Sequence, residues 1–279
     1  MKTARLTAAI ALAFAASAQA IVVTNTSSAE ALAKVIVGSG VTISNVTLTG
    51  NSATSQGTFT GGQSSVGFED GIVLTTGTTA CVPGPNSQNS CDEGGTVKAT
   101  TLQFDFRSGS GILQFNYVFA SEEYNEYVGS YFNDVFYLML DNTNIALLPS
   151  GAGVVSINNV NCASNSAYYR NNSTDTSTQY LTNEPSVANC PNQQLDMQYD
   201  GLTTVLTATA LLSAGDHHFN FYIADVGDRN LDSGVFIKAG SFSAVAPPSP
   251  SSIPEPGSLA LVAVALTTGS VLRRLNKTN

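Results

Sequence analysis

Hydrophobic side chains recur at every second position in several segments between residues 100 and 245. Leu102, Phe104 and Phe106 alternate with polar residues, and residues 113–119 and 219–223 repeat this spacing. Successive side chains of a strand point to opposite faces, so this period predicts strands with one buried side. Because turns rich in Gly, Asn and Ser separate the segments, we predict a mainly β domain of β-sandwich or jelly-roll type.

Two segments depart from this alternation. Residues 135–140 are apolar at every position, which predicts a central strand that is buried on both faces. Residues 161–192 are polar and lack a sustained period. We expect them to form a long surface insertion.

One short helix is predicted near the start of the domain. Ser27 and Glu30 have the spacing of a capping box, with Ser27 as the N-cap residue. Gly38 predicts a left-handed C-cap. Apolar residues at helical spacing form one face, namely Ala29, Leu32, Ala33, Ile36 and Val37.

Residues 1–20 have the three parts of a secretory signal peptide. Lys2 and Arg5 give the positive start, residues 6–16 the apolar segment, and Ala18-Gln19-Ala20 the small-residue cleavage site. The apolar segment is too short to span a bilayer. We expect cleavage after Ala20, which leaves residues 21–245 as an exported domain.

The end of the chain has a different organisation. Residues 246–253 are rich in Pro and Ser, which predicts an extended linker. The segment 254–279 then contains a motif, an apolar stretch and a basic pair, namely Pro254, Glu255 and Pro256, residues 257–272, and Arg273 and Arg274. The apolar stretch predicts a C-terminal transmembrane helix, and the arginines predict that its end stays in the cytoplasm.

This three-part tail resembles the PEP-CTERM sorting signal. The resemblance implies an exosortase-like processing enzyme that cleaves near Pro254-Glu255-Pro256, in a Gram-negative bacterium that makes exopolysaccharide and biofilm. It also implies a precursor anchored in the inner membrane by its C-terminal helix and then transferred to the cell surface or extracellular matrix. A plain tail anchor is the alternative.

Four cysteines form two close pairs along the chain, Cys81 with Cys91 and Cys162 with Cys190. In an exported protein, an even number of cysteines favours disulfides over metal thiolates. Three connectivities are possible, and we favour the two local ones because each closes a loop rich in Gly, Pro or Asn. Free thiols are the alternative.

Two segments concentrate the acidic residues. Residues 117–136 contain SEEYNEYV, and residues 223–237 contain the pattern D-x-x-D-x-x-x-D-S. Together with residues 71–77 (GIVLTTG), they resemble the choice-of-anchor L domain of bacterial surface proteins, across most of residues 28–245. Proteins with this domain carry varied C-terminal anchors, of which PEP-CTERM is one. The resemblance implies location and architecture, and it implies no enzymatic activity.

Each acidic segment begins with an apolar stretch that predicts a strand, and a predicted loop with carboxylates and amides follows it. Because Ca²⁺ takes six to eight oxygen ligands, the two loops would form a calcium site if they meet. The candidate ligands are Glu122, Glu123, Asn133, Asp134, Asp225, Asp228 and Asp232. The spacing of the three aspartates in the second loop does not match an EF-hand, and solvated turn carboxylates are the alternative.

Aromatic residues offer a second kind of site, a platform on which sugar rings stack. Its candidate residues are Tyr124, Asn125, Glu126, Tyr127 and Tyr131, with Tyr168 and Tyr169 from the insertion. Tyrosines packed along strand edges are the alternative. Catalysis has little support, because His217 and His218 point to opposite faces of a strand, and no nucleophile elbow, P-loop or HExxH motif occurs.

Charge narrows the class of partner. Residues 21–252 carry 19 acidic residues against 6 basic ones, a net charge of −13, which excludes nucleic acid. We predict a non-enzymatic exported protein with an adhesion or matrix-structural role, with Ca²⁺ as the candidate cofactor and exopolysaccharide as the candidate partner. A polysaccharide hydrolase that acts through Glu122 or Asp225 and a carbohydrate-binding module are the alternatives.

Overall fold

The computed structural model describes residues 20–50, 52–87, 91, 99–174, 190–227 and 230–245. Within these ranges the chain forms one α-helix and two antiparallel sheets, which confirms a mainly β, sandwich-like fold. The signal peptide (apart from Ala20), the linker, the sorting signal and Asp228 lie outside the described residues, so those predictions stay predictions.

Sheet I contains nine of the described strands: β1 (Val22–Asn25), β3 (Gln56–Thr60), β4 (Gly71–Thr75), β6 (Gly111–Ser121), β9 (Tyr169–Asn171), β10 (Gly201–Thr203), β11 (Leu206–Leu212), β13 (Ser233–Lys238) and β14 (Ser243–Val245). Sheet II contains five: β2 (Thr42–Thr49), β5 (Ala99–Ser108), β7 (Val135–Leu140), β8 (Thr143–Asn144) and β12 (Gly215–Ala224).

Strand β6 is the centre of sheet I, in the order β1-β3-β4-β13-β6-β10-β9. Along one edge it pairs with β13 and then β14, and along the other with β10 and then β11. Sheet II has the order β2-β5-β12-β7-β8. The long strands β5 and β12, which are distant in sequence, pair over their whole length.

Aromatic side chains fill the space between the two sheets. Phe242, which lies just before β14, is fully buried in the middle of this core. Its ring centroid lies between 4.9 and 6.2 Å from those of Phe104, Phe106, Phe115, Phe219 and Phe221. Such edge-on and tilted contacts add to the hydrophobic stabilisation that burial of the rings supplies.

A second core covers the other side of sheet I. Phe59, Val73, Val118 and Phe236 project from sheet I into a cluster that includes Phe68, Met197 and Tyr199 from loops. The middle of sheet I is therefore buried on both faces, whereas β11 of the same sheet has one exposed face and sheet II packs only through its inner face. Strands β4, β10 and β13 are buried on both sides, with every residue of Gly71–Thr75, Gly201–Thr203 and 233–237 buried.

The prediction for residues 135–140 is therefore wrong. Strand β7 lies beside the two-residue strand β8 at one side of sheet II, and Tyr137 on its outer face is 36% exposed. The run of apolar residues suggested two buried faces, but no layer of the described chain covers that side of sheet II.

The helix, α1, spans Ala29–Ile36 and buries the predicted residues Ala29, Leu32, Ala33 and Ile36. Two details of its ends were predicted wrongly. The N-cap is Ser28 and not Ser27, with the Ser28 hydroxyl accepting from the Ala31 N–H at 3.2 Å. Gly38 is not left-handed, and its role is steric, because a Cβ there would lie 2.3 Å from the carbonyl oxygen of Gly240.

The described part of the predicted insertion is integrated into sheet I. Strand β9 pairs with β10, and Asn171 and Asn172 are buried beside it. The Asn172 amide donates to the carbonyls of Met197 and Tyr199, both at 2.9 Å. The expectation of a surface insertion is wrong here, because hydrogen bonding allows polar residues without a period to be buried; residues 175–189 lie outside the described ranges.

Both predicted disulfides are confirmed. Cys81 is bonded to Cys91 and Cys162 to Cys190, with Cα atoms 5.5 and 5.6 Å apart. Among the described residues, no helix has the length and apolar character needed to cross a membrane. The transmembrane helix predicted at 257–272 falls outside those residues.

The first prediction concerns the aromatic core. We expect Phe242→Ala to lower the free energy of unfolding by about 3–5 kcal/mol, because it removes a ring that five others contact. The matched control is Leu211→Ala, since Leu211 on β11 is 84% exposed and should change stability by less than about 0.5 kcal/mol. Denaturant unfolding measures both, and equal losses in the two variants would contradict the assigned core.

Candidate functional site

Three carboxyl groups meet at one end of sheet I because of strand register. Ser121, the last residue of β6, pairs with Ser233 of β13 on one side and with Gly201 of β10 on the other. The residue just beyond each of these three positions is acidic, namely Glu122, Asp232 and Asp200. Neighbouring strands lie about 4.8 Å apart, so the register places three acids side by side.

These acids are sealed from solvent. Glu122 is 0% exposed, Asp200 1% and Asp232 2%. The Glu122 N–H donates to the Asp232 carbonyl at 3.0 Å, whereas both carboxyl oxygens of Glu122 are buried without a hydrogen-bond partner in the described structure. Glu126 is the fourth acid close enough to influence Glu122. We call Glu122, Glu126, Asp200 and Asp232 the acid cluster.

Burial is the main influence on the charge of this cluster. Loss of solvent, followed by repulsion from Asp200, Asp232 and Glu126, raises the pKa of Glu122 to about 10. Glu122 is therefore a neutral carboxylic acid at physiological pH, since a second buried negative charge beside the first is strongly disfavoured. The buried Tyr199 hydroxyl shows the same effect, because burial, Asp232 and Glu122 raise its pKa well above its usual value.

The loop after β4 closes over the cluster. The Thr78 N–H donates to Asp232 Oδ2 at 3.2 Å. A Cβ at Gly77 would lie 1.6 Å from the same oxygen, so only glycine allows the loop to approach this closely. Gly77, which belongs to the segment 71–77 that carried the family resemblance, thus has a packing role at the acid cluster.

Among the other predicted ligands, Asp134 links the two acidic segments. Asp134 accepts from the Val226 N–H at 2.9 Å and from the Ser233 hydroxyl at 2.7 Å, so the two segments do meet. The Asn133 side-chain oxygen accepts from the Asn158 N–H at 2.9 Å. Glu123 is buried and Asp225 half-buried.

Calcium binding stays a prediction. Within the described ranges, no group of three or more His, Cys, Asp and Glu side chains is arranged so that it could hold a metal ion, and Asp228 lies outside them. Asp200 was missed as a member of the cluster. It directly precedes a short strand, but nothing in the sequence shows that this strand pairs with β6.

The sugar platform predicted around Tyr124 is not formed. Tyr124, Asn125 and Tyr169 are at most 6% exposed. The Tyr169 hydroxyl donates to the Asn125 side-chain oxygen at 2.8 Å, and the Tyr124 and Tyr169 rings pack at a centroid distance of 4.8 Å. Tyr131, at 76% exposure, is left without the rest of the platform.

A different aromatic pair lies on the outer face of sheet II. Strand register puts Tyr222 of β12 next to Tyr137 of β7 and Thr101 of β5. The Tyr137 and Tyr222 rings are stacked, with centroids 6.0 Å apart at 28°. The next outward-facing row along these strands carries Met139, Asn220 and Gln103.

The same face continues into an ionic row. The His218 ring lies 2.8 Å from Asp105 Oδ1, and the Asn45 amide donates to Asp105 Oδ2 at 2.7 Å. These bonds, the Asn45 bond first, hold the pKa of Asp105 below its usual value. Arg107 and Asp216 form an exposed pair at 3.1 Å. A cleft of about 540 Å³ opens beside these residues.

His217 points to the opposite side, as predicted, and is 8% exposed. Its Nδ1 lies 2.6 Å from Asp141 Oδ2 and its Nε2 lies 3.0 Å from the Ser213 carbonyl oxygen. Both ring nitrogens face acceptors, so both bonds form only in the protonated ring. Burial lowers the pKa of His217, but the bonds to Asp141 and Ser213 outweigh it and raise the pKa above 6.5.

The geometry defines a disulfide-linked, two-sheet domain of the exported type, with sealed acids at one end and one open polar face. The family comparison agrees, because the model of the choice-of-anchor L domain matches residues 21–243. The chain belongs to that family, which indicates a surface-anchored extracellular protein. Searches of curated proteins and of solved structures found no match to the chain.

The second prediction concerns Glu122. Its pKa is higher in the folded protein than in the unfolded chain, so the wild-type free energy of unfolding should fall as pH rises from 4.5 towards about 10, by at most about 1.4 kcal/mol per pH unit. We expect Glu122→Gln, which mimics the protonated acid, to fold normally and to flatten this dependence. Denaturant unfolding from pH 6 to pH 10 measures it.

The exposed residue Glu30 supplies the matched control, since Glu30→Gln should keep the wild-type pH dependence. Calcium separates this explanation from the metal hypothesis. If Ca²⁺ raises the melting temperature of the wild type and not of Glu122→Gln, the cluster binds a cation through ionised Glu122, and its assignment as a neutral acid is wrong.

The third prediction concerns His217. The stabilisation from its protonated ring should be complete below pH 6.5 and lost as pH rises through the higher pKa of the folded state. We expect Asp141→Asn to lower the His217 pKa, whereas Asp70→Asn at an exposed site should not change it. An NMR titration of the two histidine rings tests this, and a wild-type His217 that titrates below 6.5 would refute it.

Proposed function

We propose that this chain is an exported cell-envelope or extracellular-matrix protein that an exosortase-like enzyme sorts. Its domain would have an adhesion or matrix-structural role associated with the exopolysaccharide of a Gram-negative biofilm. Family membership over residues 21–243 and the two disulfides support an extracellular location. The Pro-Glu-Pro motif, apolar stretch and arginine pair of residues 254–274 support the sorting route.

The burial of Glu122, Asp200 and Asp232 favours a structural role over a catalytic one. A glycosidase needs a carboxyl that touches the glycosidic oxygen and a second one beside the sugar. Glu122, the first candidate for a hydrolase, has both oxygens sealed within the fold. Its neighbours Asp200 and Asp232 are equally buried. Release of sugars from matrix polysaccharide by the purified protein would contradict a non-enzymatic role.

A rigid scaffold suits such a role. Strands β4 and β13 in sheet I are packed on both faces by separate hydrophobic clusters, and two disulfides link loops that leave the sandwich. Each disulfide closes a loop and on the chain-entropy model adds about 2–4 kcal/mol. The open outer face of sheet II presents aromatic and polar side chains to solvent, which supports the alternative of a carbohydrate-binding module.

The fourth prediction tests the sorting route on the full chain in an exosortase-containing host. Mass spectrometry of the secreted, matrix-associated protein should find residues 21–245 and no peptide from 257–279. Replacing Pro254, Glu255 and Pro256 by Ala should retain the tail and leave the protein in the membrane fraction, because the sorting motif is lost. The matched control replaces the linker residues Pro247, Pro248 and Pro250 by Ala, which should not affect processing.

An intact C-terminus in the secreted protein would contradict processing by an exosortase-like enzyme. Equal retention of the tail in the motif and linker variants would contradict recognition of the motif. Recovery of the processed protein only in the soluble medium, with none in the matrix fraction, would contradict the matrix role.

A further inference from the structure

The outer face of sheet II is a broad sheet surface that no other layer of the described chain covers. Sheet I is packed on both sides around β4 and β13, and the inner face of sheet II packs against it. Outward-facing residues of β5, β12 and β7 are half-buried or exposed, except Ala224 at the end of β12, which is buried.

Strand register arranges the face in successive rows. The first row contains Thr49, Thr101, Tyr222 and Tyr137, and the second contains Thr47, Gln103, Asn220 and Met139. The third contains Ser44, Asp105 and His218, and the fourth contains Thr42, Arg107 and Asp216. Along the strands, the face therefore changes from an aromatic pair to side-chain amides and then to paired charges beside the cleft.

Each row matches one feature of a sugar. The apolar faces of pyranose rings pack on aromatic rings, and Tyr137 and Tyr222 supply two neighbouring rings. Sugar hydroxyls both donate and accept hydrogen bonds, as do the amides of Gln103 and Asn220. A protein partner would favour a more apolar centre than these four rows offer, because Met139 is their sole aliphatic side chain. The apolar row of Ala99, Ala224 and Val135 lies at the end of the face, beyond the tyrosines.

The charges on this face and on the whole domain favour a neutral polysaccharide over an acidic one. Asp105 is bonded to His218 and Asp216 to Arg107, so the carboxylates here are paired, although residues 21–252 carry a net charge of −13. An acidic polysaccharide would be repelled by the domain as a whole. A neutral chain loses nothing to that repulsion.

The dimensions suit an internal segment of a polymer. From Tyr222 to Asp216 the face runs about 20 Å along β12, and from β2 to β7 it is about 14 Å wide, given ordinary strand spacing. The cleft of about 540 Å³ lies at the ionic end and is lined by Ser44, Asn45, Asp105, Arg107, Asp216 and His218, among others. It adds donors and acceptors at the end opposite the tyrosines.

We propose that the outer face of sheet II binds a neutral polysaccharide chain, with Tyr137 and Tyr222 stacking on a sugar ring and Gln103, Asn220 and the Asp105–His218 pair bonding hydroxyl groups. This inference rests on the proposed matrix role and identifies the partner of the domain. It replaces the platform around Tyr124, whose rings are buried.

The fifth prediction tests this binding face with the secreted, processed protein. Affinity electrophoresis uses dextran, hydroxyethyl cellulose and galactomannan as neutral polymers and alginate as an acidic one. We expect retardation by at least one neutral polymer and none by alginate. The double substitution Tyr137→Ala and Tyr222→Ala should weaken binding at least tenfold, because it removes both stacking rings.

Two control proteins isolate the effect. Tyr131→Ala removes the tyrosine with the highest exposure among the described residues, which lies in the loop before β7 and outside the four rows, and should bind as the wild type does. Tyr137→Phe with Tyr222→Phe keeps both rings and should retain most of the affinity. If the Ala double variant does not fold, Gln103→Ala replaces it, with an expected loss of about threefold or more.

Three results would overturn the proposal. They are the absence of binding to all three neutral polymers, a preference for alginate, and equal affinity of the wild type and the Ala double variant. Processed protein that is found in the matrix without glycan affinity would leave the proposed function standing and reject this face. Glycan affinity with no protein recovered in the matrix would support binding by this face and contradict the proposed matrix role.

Discussion

Hydrogen bonding along both edges of β6 is the constraint on which most of the molecule depends. One edge carries β13 and β14, and the other carries β10 and β11. Ser121 is thereby placed between Ser233 and Gly201, and the residues just beyond this row become neighbours. The acid cluster is a direct consequence, because a shift of one residue in any of these strands would move its acid out of the row.

Carboxyl side chains occupy two opposite electrostatic environments in this fold. Glu122 is buried among acids, which raises its pKa to about 10, and it stays neutral. Asp105 lies on the outer face of sheet II, where Asn45 and His218 stabilise its ionised form and lower its pKa. Glu122 at the end of sheet I is therefore uncharged in the interior, whereas Asp105 on sheet II presents its charge to solvent.

The two sheets also differ in what they leave open. Loops that include residues 61–70 and 195–199 cover the far side of sheet I with a second hydrophobic cluster, and the disulfide Cys81–Cys91 belongs to the same side of the molecule. Sheet II has no such cover within the described residues. The covered side of sheet I stabilises the fold, whereas the open face of sheet II can contact a partner. This arrangement agrees with a surface protein that must stay folded outside the cell.

The sequence by itself determined the features that depend on local chemistry. Alternation in β5, β6 and β12 predicted strands, helical spacing predicted α1 and its buried face, and short loops predicted both disulfides, because each of these signals arises within a few residues or a single loop. The export signal and the sorting tail are likewise local patterns, and they stay predictions. The tertiary structure alone decided which faces are covered and which distant residues meet. It exposed Tyr137, buried Tyr124 and brought Asp200 to Glu122, because coverage and long-range strand pairing depend on the free energy of the whole sandwich and not on any one segment.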